Sequence, residues 1–194
     1  MSTEGKYPNW FAQAAQYNFE AYLTEYAGKD NLKFLQLGVF TGDTSVWLAE
    51  NILTGTGCWL IDVDTWEGSD EEAHDAMDFN DVYATYLSKI EQYKDRITTF
   101  KSPTIWYLHG IHRVPSYDFI YIDADHTTVG VLLDAELSWP QLKSGGIMAF
   151  DDYEWGSNLP LHLRAKPGIN LFLLRHEGQY DTLVKNNQYW IRKH

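Results

Sequence analysis

Two short apolar runs that each end on carboxylates constrain this chain most. Residues 118–122 (DFIYI) lead into Asp123-Ala124-Asp125-His126, and residues 146–150 (GIMAF) lead into Asp151-Asp152-Tyr153. Runs this short and apolar read as strands buried on both faces, which belong in a parallel sheet covered by helices. In an open α/β sheet the ligand crevice lies outside the carboxyl ends of the strands. These two ends therefore aim several oxygens at one place. A single strand-end Asp is an ordinary turn or cap residue. Two such ends, the second doubled, point instead to a hard divalent cation such as Mg2+.

The same alternation runs through most of the chain. Strands are expected at 34–37, 57–63, 97–100, 118–122 and 146–150. Helices are expected at 7–26, from Asp43 or Thr44 to Asn51, at 78–94, from Pro103, and at 127–141. This rhythm predicts a doubly wound, Rossmann-like sheet with right-handed crossovers. The tail breaks it: 180–184 and 188–192 flank Asn186-Asn187 and read as a hairpin. The expected whole is a seven-stranded, mostly parallel sheet with an antiparallel C-terminal hairpin. Residues 1–30 read as a helical extension and 31–194 as the main domain. The connection 65–79 is long for a compact domain and reads as a lid.

Composition narrows the partners. The formal charge of −12 repels phosphate backbones, which disfavours nucleic acid and anionic membrane. Nine acidic residues and no Lys or Arg lie between Asp62 and Asp81, mostly a solvated loop face. No run approaches the roughly 18 apolar residues of a membrane span, and 1–9 lacks an apolar signal core. The single Cys58 excludes an intrachain disulfide and a cysteine-based zinc site. The expectation is a cytoplasmic protein acting on a small molecule. Its aromatic-rich N-terminal helix is suited to cover the site or to form a homodimer contact.

Between the first strand and the first crossover helix lies Leu37-Gly38-Val39-Phe40-Thr41-Gly42. Glycines there permit a tight turn and close approach of backbone to a ligand, and the helix start offers N–H groups to it. The spacing is G-x-x-x-G, neither the G-x-G-x-x-G of dinucleotide binders nor a phosphate loop. The second strand ends Asp62-Val63-Asp64-Thr65-Trp66, with Asp62 and Asp64 standing 20 and 22 residues past Gly42. An acid there holds a ribose diol in nucleotide-binding α/β folds. Trp66 is placed to stack on an adenine or to sit in the core.

On four ordered motifs the sequence resembles the class I S-adenosylmethionine-dependent methyltransferases. They are GVFTGDTS at 38–45, DTWEG at 64–68, YIDADH at 121–126 and GGIMAFDDYEW at 145–155. The likeness is greatest to the metal-dependent, macrocin- and sugar-O-methyltransferase-like branch. The resemblance implies an S-adenosylmethionine site that includes Gln36, Gly38, Phe40, Thr41, Gly42, Ser45, Asp62, Asp64, Thr65, Trp66, Ser102 and Asp123. Within it Gly38 and Gly42 line the methionine part, and Asp64 binds the ribose. Most relatives carry an acid where this chain has Gln36, so a weaker hold on the cofactor's ammonium is expected.

By the same resemblance Asp123, Asp151 and Asp152 hold Mg2+ (or Mn2+). A metal lowers the pKa of a bound hydroxyl, and a chelated diol is oriented toward the sulfonium methyl. His126 stands three residues after Asp123, where catechol-type relatives place a base. His126 and Asp123 are therefore the candidate catalytic residues, with Asp125 next in line. The leading expectation is O-methylation of a small polyhydroxylated, sugar-like acceptor. A non-catalytic cofactor-binding protein and a nicotinamide-dependent oxidoreductase are the alternatives. The glycine spacing disfavours the oxidoreductase, and the three retained carboxylates disfavour the loss of catalysis.

Overall fold

The structure is a computed structural model that describes residues 6–69, 74, 76–111 and 114–194. Its centre is one seven-stranded sheet. The strands are β1 (Lys33–Leu37), β2 (Trp59–Asp64), β3 (Ile97–Lys101), β4 (Tyr117–Ile122), β5 (Leu142–Phe150), β6 (Tyr180–Lys185) and β7 (Tyr189–Lys193), in the order β3-β2-β1-β4-β5-β7-β6. The first five pair in parallel, while β7 runs antiparallel to both β5 and β6. The chain winds outward from β1 in one direction and from β4 in the other. That reversal opens a crevice at their carboxyl ends.

The alternation of side chains along each strand sorts the core into two layers. Phe34, Leu60, Phe119, Tyr121, Ile147 and Trp190 face one side. There they meet α2 (Asp43–Asn51), α3 (Phe79–Ile90) and the N-terminal segment. That segment is a π-helical turn at Phe11–Ala15, then α1 (Gln16–Leu23), then a 3-10 turn at Thr24–Tyr26. Leu35, Leu37, Val63, Ile120, Ile122 and Phe150 face the other side. That layer is completed by α4 (Thr104–Gly110), α5 (Thr128–Ser138) and α6 (Ala165–Arg175).

The extension expected at 1–30 docks through aromatic edges. Phe19 is fully buried and meets Phe119, Tyr121 and Trp190 with ring centroids 5.0–5.6 Å apart. Such edge-to-face contacts add about 0.5–1.5 kcal/mol each beyond area burial. The described part of the segment belongs to the same core as the sheet. The expected lid at 65–79 falls partly outside the described residues, as do Asp70, Glu71, Glu72 and Asp75 of its acidic run. Among the described residues no helix is long and apolar enough to cross a membrane.

Helix α6 occupies a stretch to which the sequence reading assigns no element. Pro167 sits in the first turn, where a backbone N–H has no partner to lose. Gly168 is there for contact. A methyl at that position would lie 2.2 Å from the Thr128 carbonyl oxygen, so only glycine lets α6 approach α5 this closely.

Candidate active site

The first crossover forms a braced turn at the mouth of the crevice. The amide of Gly38 donates to the Val63 carbonyl and that of Asp123 to the Leu37 carbonyl, so the turn is pinned between β2 and β4. Asp64 lies at the rim of β2. One of its carboxylate oxygens accepts from the amides of Val39 (2.7 Å) and Phe40 (3.0 Å), and the other from Trp66 (2.7 Å). The charge of Asp64 thus holds the glycine turn open. Phe40, at φ +53, projects from that turn and stacks on Trp10, with centroids 4.6 Å apart. His74 lies 6.2 Å from Phe40 on a nearly parallel plane. Trp10 belongs to the N-terminal segment suited by its sequence to cover the site, whereas no local sequence signal ties His74 to the turn.

Several residues expected at the cofactor lie below the turn. Gln36, Thr41 and Ser45 are buried. Gln36 uses its amide N–H on the Gly38 carbonyl (3.0 Å), a bond that an acid in its place could make only when protonated. Ser45 donates to the Gln36 oxygen (3.3 Å), and the Thr41 hydroxyl donates to Asp43, which Lys89 pairs. Thr65 accepts from the Glu67 amide in a local turn. Ser102, after β3, donates its amide to the Asp64 carbonyl, beside the rim. Trp66, for which the sequence left adenine stacking and a core position open, is only 3% exposed. Its ring packs on Tyr83 and Tyr86 and its indole N–H donates to the Phe40 carbonyl, so it props the turn from beneath.

Asp62 is the sharpest departure from expectation. It pairs in register with Gln36 and Thr99 inside the sheet and is fully buried beneath α2 and α3. It accepts a hydrogen bond from Tyr86 (3.0 Å) and is closed off from the crevice. Burial pushes its carboxyl up to about 7, against partial relief from Ser45 and Tyr86. The folded protein therefore keeps this proton to about pH 7, while the unfolded chain releases it near 3.8. Between those values the folded state binds more protons. Stability then falls by up to about 1.4 kcal/mol per pH unit as the pH rises. Asp62→Asn cannot titrate, so its melting temperature should match the parent near pH 4 and exceed it by several degrees at pH 8. Parallel melting curves across that range would place no proton on Asp62.

The carboxylates expected to hold a metal divide. Asp123, His126 and Asp152 converge, with potential ligand atoms all within 4.8 Å of one another. His126 Nε2 lies 3.0 Å from Asp152 and 3.5 Å from Asp123. Burial, then the nearby Asp151, raises the Asp123 carboxyl well above the usual carboxylate range, with His126 opposing. A crowded acid of this kind takes up either a proton or a cation. Asp151 faces the other way, accepting from the Tyr121 hydroxyl and from Gln188 Nε2 (3.1 Å). Its remaining bond is to the Asp152 amide (2.8 Å). Asp125 accepts from the Thr127 amide (2.8 Å) in the turn before α5, whose N-cap is Thr127. Trp155 flanks His126 with ring centroids 5.6 Å apart and is 39% exposed.

A glycine turn at the β1–β4 reversal, an acid at the rim of β2 and acids ending β4 and β5 define a Rossmann-like methyltransferase architecture. Residues 35–153 match the methyltransferase-domain family, and the chain belongs to it. It is an S-adenosylmethionine-dependent methyltransferase. No curated protein matches the sequence. The fold is shared with a Clostridium thermocellum structure named as an rRNA-methylase (15% identity, 93% of this chain and 97% of that one, TM-score 0.66). It is shared with an O-methyltransferase from Bacillus cereus in complex with S-adenosylhomocysteine (16%, 96% and 92%, 0.58). MycE, from the mycinamycin biosynthetic pathway, has it too, in a complex with Mg, S-adenosylhomocysteine and mycinamycin VI (15%, TM-score 0.60). The match covers 97% of this chain and 50% of MycE. Identities this low speak for the fold, so the acceptor is argued from the site itself.

Proposed function

We propose that the protein transfers the methyl group of S-adenosylmethionine to a hydroxyl of a small polyhydroxylated, sugar-like acceptor, assisted by Mg2+ or Mn2+. The observation that carries this reading is the convergence of Asp123, Asp152 and His126 at the ends of β4 and β5, beside the glycine turn. Two carboxylates suit Mg2+, which is usually held by one or two of them together with water and substrate oxygens. The same carboxylate oxygens suit Mn2+ as well. The raised Asp123 carboxyl fits as well, because a cation relieves the crowding that otherwise favours a proton.

When bound, the cofactor supplies an electrophilic methyl and the cation lowers the pKa of the acceptor hydroxyl. The protein's own residues do the rest. Gly38 leaves space at the turn, Asp64 fixes that turn, and Asp123 and Asp152 hold the cation. His126 takes the proton from the acceptor hydroxyl at Nε2, the atom facing both carboxylates. Trp155 offers a ring face to the apolar side of a sugar. The net charge of −12 argues against a nucleic-acid acceptor despite the rRNA-methylase neighbour.

Crystals soaked with Mn2+ and S-adenosylhomocysteine should show an anomalous peak between Asp123 and Asp152. Turnover of a panel of sugars should need the divalent ion and stop with chelator. Transfer that is indifferent to chelator would remove the metal from the reading. A measurable cofactor affinity with no turnover of any polyol would remove the acceptor class.

A further inference from the structure

We propose that the N-terminal segment, through Asn18 and Gln188, positions the Asp151-Asp152 pair, so that Asn18, Gln188, Tyr121 and Asp151 act as positioning residues for the cation site. This rests on the reading of Asp123 and Asp152 as that site. The starting point is Asp152, whose backbone has φ +55, a region that L-residues rarely adopt. Such a conformation persists only where the surroundings over-determine it. Two anchors flank it here. The Asp152 amide donates to Asp151 Oδ1 (2.8 Å), and the next amide, of Tyr153, donates to the Asn187 carbonyl (2.8 Å).

Both anchors trace back to the N-terminal segment. Asn187 in the β6–β7 turn donates its side-chain amide to the Ala14 carbonyl (2.8 Å), and Tyr17 donates to its amide oxygen. On the other side, the Gln188 amide oxygen accepts from Asn18 Nδ2 (2.7 Å) and from the Trp190 indole (2.9 Å). With the oxygen held by two donors, the Gln188 NH2 group must face the opposite way. There it meets the Tyr121 hydroxyl (3.3 Å) and Asp151 Oδ1 (3.1 Å). The Tyr121 hydroxyl in turn donates to Asp151 Oδ2. Asn18, Tyr121 and Gln188 are each at most 2% exposed, so water cannot replace these bonds.

The consequence is a division of labour between two adjacent acids. Asp151 accepts three hydrogen bonds and serves as a bracket, which leaves Asp152 to turn toward His126 and Asp123. Partners one step removed from a metal ligand typically change metal affinity by about 10–100-fold when lost.

The test compares Gln188→Met, which keeps side-chain length and removes the amide, with Tyr121→Phe, which removes one hydroxyl. If one variant fails to fold, the other carries the experiment. Crystal structures should show Asp152 leaving its left-handed conformation and its contact with His126. Mn2+ affinity, read by electron paramagnetic resonance well below the melting temperature, should fall about 10-fold or more. S-adenosylhomocysteine affinity should stay within about 2-fold, since the glycine turn makes none of these bonds.

An unmoved Asp152 in a folded variant overturns the proposal. So does a Mn2+ affinity equal to the parent's, or an Asp151 found ligating Mn2+ in the parent. Failure of the parent itself to bind Mn2+ refutes the cation reading instead, and the position of Asp152 in the variants then decides the proposal alone.

Discussion

Gly38→Ala should abolish cofactor binding and cost about 3 kcal/mol or more of stability, the combined scale of a disfavoured backbone conformation and an overpacked core. Two independent features set this magnitude. Gly38 has φ +84, where an L-residue is penalised by about 1–2 kcal/mol. Its added methyl would also lie 1.8 Å from the Asp123 carbonyl oxygen, 2.4 Å from the carbonyl carbon and 2.8 Å from the Ala124 Cα. These are backbone atoms of the β4 end, so no side chain can swing away. Either the glycine turn or the strand end carrying Asp123 must move, and both belong to the site. Gly145→Ala is the control: φ is +78 there, and an added methyl meets nothing within 4 Å. It should lose only the conformational part, about 1–2 kcal/mol. Denaturant melts of the two variants, with calorimetry against S-adenosylhomocysteine, separate the contributions. Equal losses in both would show that the β1–β4 contact relaxes freely.

That contact also shows which parts of the molecule were legible in the sequence. The five parallel strands were: β1, β4 and the end of β5 are buried on both faces and read as short apolar runs between polar turns, and β2 and the edge strand β3 follow from the alternation with helices. The hairpin was legible from Asn186-Asn187, and the family from four motifs in order. Depth within the sheet was not. Asp62 and Asp64 are two apart and share a face, yet Asp62 lies under Ser45 and Tyr86 while Asp64 reaches the rim. Where the helices stop covering a strand is decided by packing that no local pattern encodes. Trp66 went the same way: an aromatic after a strand serves a ligand or the core according to where Tyr83 and Tyr86 land. The sequence reading assigns both acids at 151–152 one role, and their division was not legible, because the partner that captures Asp151 is Gln188, 37 residues away. The role of α1 was hidden for the same reason, with Asn18 meeting Gln188 across 170 residues.

His126→Ala should lower kcat by about 10²–10⁴-fold, the usual contribution of a positioned base, with S-adenosylmethionine affinity nearly unchanged. The geometry favours this residue over its neighbours. Nε2 is 3.0 Å from Asp152 and 3.5 Å from Asp123, so an acceptor hydroxyl drawn to those carboxylates by a cation comes within its reach. Asp125, the runner-up from sequence spacing, is taken by the Thr127 amide at the start of α5. The informative variant is His126→Gln, which keeps size and hydrogen bonding but cannot accept a proton near neutral pH. A positioning role predicts near-parental turnover for Gln and a large loss for Ala. A base role predicts both slow. Mn2+ titration of the same two proteins guards against a third outcome, because an imidazole that ligates the ion would show itself as lost metal affinity in both. If Gln turns over at the parental rate with Mn2+ bound normally, His126 is a positioning residue, and Asp123, whose carboxylate lies 3.5 Å from it, becomes the better candidate for the base.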